Sequence, residues 1–127
     1  MTRINVVPPS ELHDKHLVAE YRELPRVFNL VRKAIERGEK PDDKRNPKFY
    51  TLGAGHVRFF YNKCGFLYDR QFRLCNEMVS RGFTVNYWPS PETLAGIPQP
   101  WINVWVPYAH DIKINRERIA DRMPKGE

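Results

Sequence analysis

The chain opens Met1-Thr2-Arg3, and a single carboxylate, Glu23, stands between Arg22 and Arg26. A side chain as small as threonine at position 2 permits removal of the initiator methionine, which exposes the α-amine of Thr2. Such an amine has a reference pKa of about 7.7–8.0, against about 10.4 for a lysine, so roughly a tenth of it is neutral at pH 7. Nearby Arg3, Arg22 and Arg26 are expected to lower its proton affinity further, because cations disfavour a second positive charge. A neutral amine beside phosphate-binding arginines is a nucleophile suited to a sugar carbon. A carboxylate at Glu23 is placed to move protons in that chemistry.

The arginines themselves form ridges. Arg22 and Arg26 are one helical turn apart, and Asn29, Lys33 and Arg37 continue a similar line. Arg118 and Arg122 repeat the spacing, flanked by Lys113 and Arg116. Like charges four apart repel by a few tenths of a kcal/mol in an isolated helix, a cost that phosphates would remove. Arginine's planar fork suits phosphate oxygens better than an ammonium does. The bland alternative is a solvated helix face on which Glu20, Glu23 and Glu36 offset the arginines.

The overall charge agrees with a polyanionic partner. Lys and Arg number 21 against 15 Asp and Glu, a formal charge of +6, which favours nucleic acid over an anionic membrane surface. No apolar run approaches the ~20 residues of a membrane span and no signal-peptide core opens the chain, so the protein is expected to be intracellular. At 127 residues it has room for one domain, spanning 1–127, and not two.

Three helical patterns must position these residues. Leu17, Tyr21, Leu24, Phe28, Val31 and Ile35 form one stripe of a helix over about 14–37, kinked at Pro25 and ended by Gly38. An exposed loop is expected over 39–48, then a turn at Gly53-Ala54-Gly55-His56. The second pattern repeats through Phe60, Cys64, Leu67, Gln71, Leu74 and Met78, with Gly82-Phe83 as its terminator. Residues 86–107 hold five prolines and all three tryptophans without a sustained period, predicting ordered irregular chain whose Trp88, Trp101 and Trp105 pack on the helices. The third helix is expected over about 109–122, burying Ile112 and Ile119. The fold class is therefore mainly α, a single compact domain of three principal helices with long irregular connections and minimal strand. Cys64 and Cys75 on one helix would lie about 16 Å apart, too far for a disulfide, and read as buried thiols.

Other chemistries lack their residues. His13 and His16 are three apart, but no Cys or carboxylate cluster has matching spacing, so no metal is expected. There is no Ser–His–Asp context, P-loop, dinucleotide fingerprint or paired-carboxylate set for two metals. His56 reads as a structural hydrogen-bonding residue.

Several blocks resemble the pyrimidine-dimer DNA glycosylase family of T-even phages, also called the phage endonuclease V family. They are M-T-R-I-N at 1–5, S-E-L at 10–12, H-L-x-A-E-Y-R-E-L-P-R-V-F at 16–28, L-G-A-G-H-V-x-F-F-Y-x-K at 52–63, F-L at 66–67, R-G-F at 81–83 and I-P-Q at 97–99. The resemblance implies an α-helical domain with its N-terminal segment threaded between helices, bringing the Thr2 amine near Glu23. It implies a monomeric, cofactor-free and metal-free glycosylase and abasic-site lyase, acting on duplex DNA that contains pyrimidine dimers or abasic sites. Its setting would be a bacterial or phage-infected cytoplasm, in association with DNA. The amine would attack the sugar, and Glu23 would assist. The positions matching Arg3, His16, Arg22, Arg26, Arg118 and Arg122 would hold phosphates or shape the duplex. Lys15, where the phage members have glutamine, adds charge to that face. The alternative is a basic DNA-binding protein on the same scaffold, with lost or altered lesion specificity.

Overall fold

The structure, a computed structural model, describes residues 3–122. Four α-helices carry it: α1 (Asp14–Glu23), α2 (Pro25–Glu36), α3 (Cys64–Ser80) and α4 (Ala109–Asp121). Short 3-10 turns lie ahead of α1 and in the connections around α3, and no strand occurs among the described residues. The fold is mainly α, as the periodicity predicts.

The first expected helix is two helices, divided at Pro25. Proline has no N–H to donate to the carbonyl of Tyr21, one turn back. The side chain of Gln71 on α3 takes that carbonyl, its Nε2 donating at 3.0 Å. The break is thus sealed by a buried amide rather than by solvent. Leu17, Leu24, Val27, Phe28, Val31 and Ala34 form the inner stripe of α1 and α2, all buried. Gly38 ends α2 at φ 83°, with Glu39 N–H donating to Ala34 O at 3.0 Å.

Helix α3 starts at Cys64, not at Phe60, which belongs to a preceding 3-10 turn. Its end follows the expected pattern, Phe83 N–H reaching back to Met78 O at 2.9 Å around Gly82 at φ 84°. Cys64 and Cys75 are buried and free, and burial pushes their thiols up to about 12 and about 11. At Gly65 a Cβ would come within 2.9 Å of Asn103 O, so glycine lets the irregular chain dock on α3, where Phe66 N–H bonds that carbonyl.

Two expectations need correction. The segment 39–48 is not simply an exposed loop, since the Glu39 side chain is 3% exposed and receives Arg37, Arg45 and Arg58. Helix α4 buries Asp111 and Asn115 most deeply, while Ile112 and Ile119 are only partly covered. Of the tryptophans, Trp101 is buried and Trp105 joins a cluster with Tyr50, Phe59, Phe60 and Phe66. Trp88 stays 42% exposed against Phe72.

Candidate active site and nucleic-acid interface

Chain segment 4–7 lies buried between three helices, where side chains of all three bond its polar groups. Asn115 of α4 accepts from Val6 N–H at 2.8 Å and from Val7 N–H at 3.2 Å, and its Nδ2 donates to Asn5 Oδ1 at 2.9 Å. Asn5 Nδ2 donates to Glu20 Oε1 of α1 at 2.8 Å. Arg70 of α3 clamps both Glu20 oxygens, at 2.8 and 3.0 Å, and also donates to Val7 O. The segment is therefore fixed in place by side chains, where a strand would use backbone ladders.

His56 supplies the last anchor. Its Nε2 accepts from Ile4 N–H at 2.8 Å, which requires Nδ1 to carry the proton and donate to Thr51 O, also at 2.8 Å. The ring is thus held neutral. Burial lowers its pKa below the ordinary histidine value, Arg3 and Arg118 reinforce the shift, and the Thr51 bond opposes it. Below about pH 6.5 the unfolded chain holds more protons at this site than the folded one, so stability rises with pH through that window. The denaturation midpoint should accordingly fall as pH drops from about 6.5, and His56→Gln should flatten that dependence. A midpoint indifferent to pH between about 5 and 7 would remove His56 as the neutral anchor.

Where Arg3 leads into this segment a cavity of about 300 Å³ opens. Arg3, His16, Glu23, Arg118 and Arg122 line it, together with Asn5, Ala19, Glu20 and Ile119. Five residues singled out from sequence, drawn from the N-terminal segment, α1 and the end of α4, thus meet in one place. Two carboxylates face the cavity, and their states differ. Glu20 is consumed by Arg70 and Asn5, while half-buried Glu23 makes no ion pair among the described residues. Glu20 is therefore not a partner of the surface arginines.

The cations here are also unspent. Among the described residues no carboxylate pairs with Arg3, Arg118 or Arg122, and Arg3 Nη1 and His16 Nδ1 are buried without a hydrogen-bond partner. Burial, then the charges of Arg118 and Arg122, lower the pKa of Arg3 below that of an ordinary guanidinium. Three arginines held together, none paired with a carboxylate among the described residues, make a site for an anion with several acceptor oxygens.

The remaining candidates lie elsewhere. Arg22 lines a second cavity of about 450 Å³, with Tyr21, Pro25, Phe28 and Tyr87. Lys15 and Arg26 are exposed on α1 and α2 and line neither cavity. Thr2 lies outside the described residues; Arg3, its neighbour in the sequence, lines the cavity. His13 and His16 meet edge to face at 6.3 Å, and no group of three metal-ligating side chains occurs among the described residues. None of the helices is long and apolar enough to cross a membrane, among the residues described. Sequence reading missed Asn5, Arg70 and Asn115. The available signal was polar residues at core positions, as at Asn115 between Ile112 and Ile119.

A family model for pyrimidine dimer DNA glycosylase matches residues 1–88, which include Arg3, His16, Glu20, Glu23 and Arg70.

Proposed function

The chain belongs to the pyrimidine dimer DNA glycosylase family, and on that premise we propose that it is a bifunctional enzyme, excising the 5′ base of a cyclobutane pyrimidine dimer in duplex DNA and then cutting the strand. The nucleophile in this reading is the α-amine of Thr2. Its lone pair attacks the sugar C1′, the glycosidic bond breaks, and the base leaves with a proton, still tethered to its neighbour through the dimer. The sugar ring opens to an imine between C1′ and the amine. Loss of a C2′ proton then expels the 3′ phosphate by β-elimination, and water releases the product. Glu23 serves the proton transfers.

The observation that carries the proposal is the meeting of Glu23, unpaired among the described residues, with Arg3, Arg118 and Arg122 in one cavity where Arg3 leads into segment 4–7. The cations draw the phosphates inward. The substrate is intracellular DNA, and the working unit is a monomer. Incubation with duplex carrying one defined dimer tests the reading: scission at the dimer is expected, while an intact strand would leave the scaffold as a DNA-binding protein only.

Binding should be strongly salt-dependent. With Arg3, Arg22, Arg26, Arg118 and Arg122 on phosphates, about five contacts give a log–log slope of affinity on salt near −4 to −5. Changing any one to alanine should flatten the slope by about one unit. A slope near zero on undamaged duplex would contradict the placement of the arginines on phosphates.

A further inference from the structure

The loop ahead of η-turn Arg58–Phe60 and the start of α3 enclose a cavity of about 590 Å³ that shares no lining residue with the N-terminal one. Lys44, Lys48 and Lys63 line it, with Asn46, Asp42 and Asp43. Asp43 is already occupied: Arg45 donates to it from Nε at 2.9 Å, Nη2 at 3.0 Å and the backbone at 2.9 Å. Asp42 is exposed, and none of the three lysines forms an ion pair among the described residues.

Two groups on the wall lack a partner that a ligand can supply. Lys63 sits 3.8 Å from the centre of the Phe59 ring and donates to Phe59 O at 2.9 Å and Asn62 Oδ1 at 3.0 Å. Both acceptors are neutral, so no carboxylate balances the ammonium, and the Phe59 ring offsets its charge only in part. Burial alone lowers its pKa to about 8. Asn46 Oδ1 accepts from Arg58 Nη1 at 3.0 Å, which fixes the orientation of the amide. Its Nδ2 is then a buried donor without an acceptor. A buried donor without an acceptor and a half-buried charge without a counter-ion are both costly, and an anion rich in acceptor oxygens removes both costs.

We propose that this cavity is a phosphate-binding site separate from the candidate active site, with Lys63 and Asn46 holding the phosphate oxygens and Lys44 and Lys48 supplying the surrounding charge. The phosphate belongs either to a nucleic-acid backbone or to a small phosphorylated molecule. Inorganic pyrophosphate is the first probe for the full chain. It should shift the side-chain amide resonances of Asn46 saturably and protect Lys63 from acetic anhydride. Asn46→Asp keeps the Arg58 contact but turns the donor into an anion, and should weaken pyrophosphate at least about tenfold. Lys48→Glu, on an exposed side chain, should weaken it in the same direction without affecting the fold. A short undamaged duplex forms the second arm. Protection of Lys63 by duplex at lower concentration than pyrophosphate assigns the site to the DNA backbone, and protection by pyrophosphate alone assigns it to a small ligand. No saturable shift, or equal affinity in both variants, overturns the proposal.

Discussion

Replacing Glu23 by glutamine should leave affinity for a dimer-containing duplex equal or slightly higher, while strand scission falls by about 10²–10⁴-fold. The substitution keeps size and removes charge and basicity. In the cavity it leaves Arg3, Arg118 and Arg122 with less negative charge nearby, so attraction for phosphates does not weaken. No hydrogen bond or ion pair of Glu23 with another described residue is lost, so the fold should tolerate it. Gel-shift affinity and single-turnover cleavage, measured on one preparation, separate binding from chemistry. Cleavage at the normal rate would return Glu23 to the role of a charge on a helix face.

The second large effect is on stability. Arg70→Met removes the guanidinium that clamps Glu20 and binds Val7 O, leaving a carboxylate that is 2% exposed beside Asn5 alone. Breaking a buried pair from one side typically costs about 3–5 kcal/mol, because the remaining charge has neither water nor counter-ion. Chemical denaturation should show that loss. Glu20→Gln added to the same chain should recover part of it, since the orphaned charge is then gone. A loss below about 1 kcal/mol would mean that water or another cation replaces Arg70, and the N-terminal segment would not depend on this pair.

These two residues also mark what was legible in the sequence. Helices were readable because apolar spacing and terminators agree: Leu17 to Ile35 set the stripe, Pro25 set its break, and Gly38 and Gly82 set the ends. The basic ridge at Arg118 and Arg122 was readable from its four-residue spacing, and both do reach the cavity with Arg3. Arg22 has the same spacing to Arg26 yet faces another cavity, since on α1 it lies off the face that carries His16, Ala19, Glu20 and Glu23. The polar network was not readable. Glu20 looks like a surface charge three residues from Glu23, and its partner Arg70 is fifty residues away. Periodicity assigns a polar residue to solvent unless its partner is known, and that partner is brought by tertiary packing. Asn115 was hidden for the same reason, although it holds the backbone of Val6 and Val7.

The proposed reaction turns on an imine between the N-terminal amine and the sugar. Borohydride reduction during reaction with dimer-containing duplex tests it most directly, because reduction converts a transient imine into a stable amine linkage. A covalent protein–DNA adduct is expected, which proteolysis and mass spectrometry place on the α-amine of Thr2, with no adduct from protein that retains Met1. Trapping on a lysine side chain, or cleavage of the strand with no trappable species, would contradict it.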